Sequence, residues 1–363
     1  MRIALEAQEL LDAHLSGVGR YVLELGRELC ALEPGCNLVL PLRRLGKYPR
    51  AWRNGLSSPR WIASPFWPRT RYDIVHFPTG QASAMPGDPA RIVTVHDLWE
   101  FLQVENGALP THSRSCRRLI EAVAQADGII CVSQNTRHDF EHFFPQVRVS
   151  TTVIHHGVSP SFKRSAPAVM ANARARLLPG LTDYLLYVGH HHERKNIPGM
   201  IAGYAAVPRP RPPLVLVGNS DPGRMEMVSR QAASLGITAD EILQLSYVGN
   251  DDLVALISAA RGLVFVPFFE GFGLPLIEAY RCGTPVVTSD NSSLRELAHP
   301  ATPLVDPRDP SSIAAGIVRL LACDADESLR QTLAAYGATF TWERCARATL
   351  AFYASVINGR RST

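Results

Sequence analysis

The run Glu270-Gly271-Phe272-Gly273-Leu274-Pro275-Leu276-Ile277-Glu278 sets two carboxylates eight residues apart around a glycine-rich turn. An apolar run, Gly262-Leu263-Val264-Phe265-Val266-Pro267, leads into it, and a helical pattern leads out over 275–282. Strand, glycine loop and helix start, in that order, aim backbone N–H groups and the positive end of a helix dipole at one spot. That spot suits an anion such as phosphate. Glu270 falls at the carboxyl edge of the strand. Glu278 falls about one turn into the helix, on a face that could reach a ribose. A phosphate cradle flanked by two hydroxyl-binding acids meets the needs of a nucleotide-sugar site.

The same alternation extends in both directions. Short β-rich runs stand at 2–7, 37–42, 73–77, 91–96, 128–132 and 151–155, and again at 184–188, 214–217, 245–248, 263–267, 285–289 and 303–305. Most are continuous apolar stretches, as parallel strands buried on both faces require. Helical spacing separates them, as in Val18, Tyr21, Val22, Leu25, Leu29 and Leu32. Strand and helix in alternation predict an α/β fold. A break over 159–181, bracketed by Pro160, Pro167 and Pro179, reads as a linker plus the first helix of a second domain. Two doubly wound sheets follow, with ligands at the carboxyl ends of strands.

The 363 residues suffice for two cores, and 46% hydrophobic with 19% charged residues describes an ordinary globular chain. No apolar stretch approaches the roughly 18 residues of a membrane span. The start, Met1 to Glu6, turns acidic too early for a secretory signal. Seven scattered cysteines without CxxC spacing read as reduced thiols. The net charge of +4 is uneven: eight cations and no acid lie from Arg43 to Arg71, interleaved with Trp52, Trp61, Phe66 and Trp67. That mixture suits an anionic membrane surface or a pyrophosphate-bearing acceptor. A solvated loop with packed tryptophans, or stacking on nucleic acid, fits the same composition.

Four further motifs fall where a strand ends and a helix begins. Gly17-Val18-Gly19-Arg20-Tyr21 has two glycines that let a backbone approach a phosphate. Val93-Thr94-Val95-His96-Asp97 puts a histidine at a strand end. Gly189-His190-His191-His192-Glu193-Arg194-Lys195 offers two cations for a diphosphate. Its three successive histidines fan out in direction, and no carboxylate cluster completes a metal site. Tyr247-Val248-Gly249-Asn250 forms a turn whose backbone can hydrogen-bond a base edge.

Together these motifs resemble the retaining glycosyltransferase family 4 of the GT-B fold. The resemblance spans nearly the whole chain and is strongest over 184–296. It is carried by Val188-Gly189 with Arg194-Lys195-Asn196, by Tyr247-Val248-Gly249, by 269–278, and by Cys282-Gly283-Thr284-Pro285-Val286-Val287. Gly17 to Tyr21, Thr94 to Leu98 and Val153 to Val158 are similar to bacterial O-antigen and exopolysaccharide mannosyltransferases.

The resemblance implies two Rossmann-like domains facing across a cleft: 1–165 for the acceptor, 166–340 for the nucleotide sugar, and a helix over 341–363 crossing back. It assigns Lys195 and its neighbour Arg194 to the donor diphosphate, Glu270 to the donor sugar hydroxyls and Glu278 to the ribose. The backbone of Phe272, Gly273 and Leu274, in loops shared with Gly271 and Gly189, would sit on the diphosphate or sugar. Gly19, with Gly17 beside it, would approach the phosphate. His96 would contact the sugar near the reacting carbon, and Val248 would read the base. Many members carry arginine where this chain has His190, so the phosphate charge is expected to rest on Arg194 and Lys195.

The expected activity is retaining, metal-independent hexosyl transfer, with GDP-mannose as first donor and a UDP-hexose as runner-up. The expected acceptor is a lipid-linked saccharide, met in the cytoplasm at the inner membrane face. Peripheral membrane contact through Arg43–Arg71 is expected, and no nucleic-acid partner. An epimerase on the same fold, or a non-catalytic nucleotide-sugar binder, are the other classes. The basic aromatic region weighs against the first. The joint presence of His96, Lys195, Glu270 and Glu278 weighs against the second.

Overall fold

Apolar runs without polar alternation become strands covered on both faces, and both halves of the chain are built that way. The computed structural model describes residues 1–12, 15–41, 61–64, 71–79, 87–107, 113–218, 221–323 and 327–362. The chain divides into two units, Met1–Gly157 with Thr341–Thr363, and Val158–Phe340. The division falls at Gly157/Val158 instead of between 165 and 166.

The first unit holds a parallel sheet in the order β3-β2-β1-β4-β5-β6-β7. Its strands are β1 (Ile3–Glu6), β2 (Cys36–Pro41), β3 (Trp61–Ser64), β4 (Ile74–Phe77), β5 (Ala90–Val95), β6 (Gly128–Cys131) and β7 (Ser150–Val153). Neighbours on one strand feed opposite faces. Ile3 and Leu5 join one core cluster, whereas Ala4 joins the other. The first cluster packs the sheet against helix Gly17–Leu32 and the C-terminal helix Trp342–Ser362, through Tyr21, Val22, Phe352, Tyr353 and Val356. The second packs it against helices Trp99–Glu105, Arg114–Val123 and Gln134–Phe143. The chain reaches that C-terminal helix beside Gly157, where a Cβ would stand 2.2 Å from the Trp342 backbone nitrogen. Only glycine allows that close a passage.

The second unit holds a parallel sheet in the order β10-β9-β8-β11-β12-β13. Its strands are β8 (Leu185–Val188), β9 (Leu214–Val217), β10 (Ile242–Leu245), β11 (Gly262–Phe265), β12 (Val286–Ser289) and β13 (Leu304–Val305). Strand order reverses between β1 and β4 in the first sheet and between β8 and β11 in the second. Crevices open at such reversal points, beyond the carboxyl ends of the strands.

Two strand expectations need correction. β3 lies inside the cation-rich region, where no strand is predicted. It pairs residue by residue with β2 at the sheet edge, where four residues suffice and the usual long apolar run is not required. The strand expected at 245–248 ends at Leu245, because β10 matches β9 in register from Ile242↔Leu214 to Leu245↔Val217. Val248 therefore follows the strand. Of the region Arg43–Arg71, most lies outside the described residues. No described helix is long and apolar enough to cross a membrane.

Candidate functional site

In the second unit, the loops after β8 and β11 meet at the reversal point. After Val188 the chain turns through Gly189, whose N–H donates to Val217 O at 3.0 Å. A single 3-10 turn, Glu193–Lys195, follows, so Arg194 and Lys195 precede helix Ile197–Ala205 instead of opening it. Asn196 stands between them in the left-handed region (φ 54°). Its Nδ2 donates to Val266 O at 3.1 Å and Pro307 O at 2.6 Å, and its Oδ1 accepts from Gly199 N. Asn196 tolerates this backbone better than most residues. Three side-chain hydrogen bonds hold it there. Phe268 N–H also donates to Arg194 O at 2.8 Å. The cationic turn is thus fastened to the segment that carries Glu270.

Lys195 Nζ is bonded to Glu270 Oε1, and their side chains are only 14% and 8% exposed. The same ammonium lies 5.2 Å from the Phe265 ring centroid, a second source of negative potential. Glu270 is fixed through its backbone as well: its N–H donates to Ser292 Oγ (3.2 Å) and its carbonyl accepts from Ser293 Oγ (2.9 Å). Gly273 (φ 92°) starts helix Leu274–Arg281. A Cβ there would meet Leu294 Cδ2 at 2.5 Å, so a side chain would both strain the turn and push the helix away. No side chain caps that helix, and Pro275 has no N–H to satisfy. Glu278 is buried within it. The structure thus joins the turn of Arg194 and Lys195 to the loop of Glu270, Gly271, Phe272, Gly273 and Leu274, with Gly189 at the start of the first loop and Glu278 in the helix that follows the second. Val248 is partly buried in the segment between β10 and helix Asn250–Ala259, beside the 74% exposed Tyr247.

In the first unit, His96 follows β5. Its Nε2 is 2.8 Å from Pro78 O. A carbonyl only accepts, so Nε2 carries the proton and Nδ1 keeps its lone pair. Tyr21 meets the imidazole edge-on at 4.9 Å, and His156 lies 5.4 Å away. Burial pushes His96 down to about 4, with the Pro78 hydrogen bond and Asp97 opposing it. The ring is neutral at physiological pH. Gly17 and Gly19 form the first turn of helix Gly17–Leu32 instead of an open loop. The Gly19 N–H donates to the capping Ser16 Oγ at 3.0 Å, a cap that the pattern Ser16-x-x-Gly19 could have signalled.

Among the described residues, no three His, Cys, Asp or Glu side chains gather as a metal site would require. His190 is exposed, and His192 Nδ1 accepts from Arg194 N at 3.3 Å. The histidine run thus shapes the cationic turn. The Lys195–Glu270 pairing and the Asn196 fastening were not legible as contacts. The Asn-Ile-Pro run at 196–198 was a usable cap signal.

Two parallel-sheet units with this polar convergence at a reversal point define a GT-B enzyme. Residues 171–340 match the glycosyl transferases group 1 family, and residues 15–162 match glycosyltransferase family 4. The O-antigen chain mannosyltransferase B of Escherichia coli is 33% identical over 271 residues, covering 72% of this chain and 69% of that one. A serotype-specific mannosyltransferase, WbdA, of Escherichia coli is 26% identical over 77% of this chain, which spans 36% of its length. The sucrose-phosphate synthase of Thermosynechococcus elongatus superposes with a TM-score of 0.73 at 22% identity, covering 99% of each chain. This chain belongs to glycosyltransferase family 4, with the group 1 domain as its second half. It is a hexosyltransferase.

Proposed function

We propose that this enzyme transfers mannose from GDP-mannose to a lipid-linked saccharide, with retention and without a metal, in cell-surface polysaccharide synthesis. The observation that carries the donor site is the convergence of Arg194, Lys195 and Glu270 at the β8/β11 reversal point. Mannose rests on the similarity to the Escherichia coli O-antigen mannosyltransferase. The lipid-linked acceptor and a position at the inner membrane face rest on the family resemblance of the motifs and on the basic, tryptophan-bearing composition of Arg43–Arg71.

Breaking the sugar–phosphate bond leaves an oxocarbenium-like carbon and a diphosphate. Lys195, Arg194 and the start of helix Leu274–Arg281 stabilise the departing charge, so the chemistry needs no other Lewis acid. Glu270 orients donor hydroxyls while Lys195 holds its other demand. Glu278 takes the ribose, and the Val248 backbone takes the base. His96 Nδ1, a fixed acceptor, takes a sugar hydroxyl near the reacting carbon. The acceptor oxygen bonds to that carbon on the face the diphosphate leaves. The acceptor proton passes to a diphosphate oxygen.

The test is transfer from radiolabelled GDP-mannose and, separately, UDP-glucose to a lipid-linked saccharide, with excess chelator present. Label moving from GDP-mannose alone is expected. Label moving only from UDP-glucose would transfer the assignment to a UDP-hexose. Loss of all transfer on chelation would remove the metal-independent mechanism.

A further inference from the structure

The first unit carries a buried polar chain that the assigned roles do not use. Tyr353 OH, on the C-terminal helix, lies 2.6 Å from His76 Nδ1 on β4. His76 Nε2 lies 2.6 Å from Thr94 Oγ1 on β5, and Thr94 Oγ1 lies 3.1 Å from Tyr21 OH on helix Gly17–Leu32. All four residues are 0–1% exposed. Burial pushes His76 down to about 3, so its imidazole is neutral and owns one N–H. One ring nitrogen of His76 therefore donates and the other accepts: Nδ1–H would give to Tyr353 and Nε2 take from Thr94, or Tyr353 would give to Nδ1 and Nε2–H give to Thr94. A buried polar network satisfied in this way rigidifies the residues it joins.

Its inner end bears on His96. Thr94 and His96 are two apart at the carboxyl end of β5, and in extended backbone that spacing shares a face. The Tyr21 ring stands edge-on to His96 at 4.9 Å and against His156 at 4.8 Å. His156 in turn stacks on Trp342 at 5.7 Å. The His96 ring is thus propped by a tyrosine whose hydroxyl is tied, through Thr94 and His76, to a helix more than two hundred and fifty residues further along the chain.

We propose that Tyr21 is a positioning residue for His96, and that the Tyr353–His76–Thr94–Tyr21 chain, by holding Tyr21, makes the C-terminal helix part of the support of the His96 ring. The proposal rests on the reading of His96 as a sugar-facing residue. It adds a specific device: the returning helix aligns the Nδ1 acceptor as well as covering the core.

Thr94→Val keeps the shape and cuts two of the three bonds. Tyr21→Phe keeps the ring and loses the tie, and Tyr353→Phe removes the remote end. The expected result is a fall in kcat of about tenfold for Thr94→Val and Tyr21→Phe, with donor KM within twofold of the parent. The double variant should lose no more than the singles, because both act on one chain. In a long-range proton–nitrogen correlation spectrum, the parent His96 should give one sharp Nε2–H tautomer pattern, and each variant a broadened or split one. Unchanged kcat and an unchanged His96 pattern, with only a lower melting temperature, would overturn the proposal. If one variant fails to fold, the other two decide. If His96→Ala leaves transfer intact, the role of His96 fails instead, and the imidazole spectra still report whether the chain positions the ring.

Discussion

Lys195→Ala is expected to lower kcat/KM by at least about 10²-fold to 10³-fold, the cost typical of deleting one preorganised charge stabiliser. The same change strands the Glu270 carboxylate, which is 8% exposed and bonded to Lys195. Removing one partner of a buried pair costs about 3–5 kcal/mol, so the single variant should also melt at a lower temperature. The two effects separate in the double variant Lys195→Ala/Glu270→Gln. An uncharged amide no longer needs the ammonium, so stability should largely return while transfer stays lost. Steady-state rates and thermal melts on the three proteins check this. Recovery of transfer together with stability would mean that Lys195 serves only the fold.

Acid should destabilise the first unit. Burial holds His76 near 3 and His96 near 4, and pushes His156 well below the ordinary value. In the unfolded chain each takes a proton near pH 6.5. Between about 6.5 and 4 the unfolded state binds more protons, so stability falls as pH falls. The slope is roughly 1 kcal/mol per pH unit for each histidine, on the order of 4 kcal/mol for the three by pH 5. That is a large share of a typical 5–15 kcal/mol. The sequence has no tryptophan within Val158–Phe340, and the described Trp99 and Trp342 lie in the first unit. Tryptophan fluorescence therefore follows that unit alone. Its urea midpoint should drop steeply from pH 7 to pH 5, and a midpoint flat over that range would contradict the burial of these rings as neutral species.

The fold was legible because its determinant is local. Runs such as Leu214–Val217 and Gly262–Phe265 carry no polar side chain, the pattern expected of a strand covered on both faces. The glycine loop before helix Leu274–Arg281 was legible because Gly273 occupies a backbone region that few other residues enter. What stayed hidden depends on partners far along the chain. β3 exists because β2 offers an edge, and β10 ends where β9 ends. Lys195 and Glu270 read as separate ligand groups, and only the β8–β11 pairing shows them bonded to each other. His76 lies in the β-rich run at 73–77 and carried no separate signal there. Its two hydroxyl partners come from β5 and from the last helix, and no window of sequence contains all three.

The most direct test of the donor site is the thermal shift produced by GDP and by UDP, without added metal, on the parent enzyme and on Lys195→Ala. A ligand bound only by the native state stabilises by mass action, by about 3 kcal/mol at a hundred times its Kd. The account predicts a raised melting temperature for the parent with GDP and a much smaller shift for Lys195→Ala at the same concentration. Equal shifts in both proteins, or none in the parent with either nucleotide, would contradict a diphosphate held at the meeting of the β8 and β11 loops.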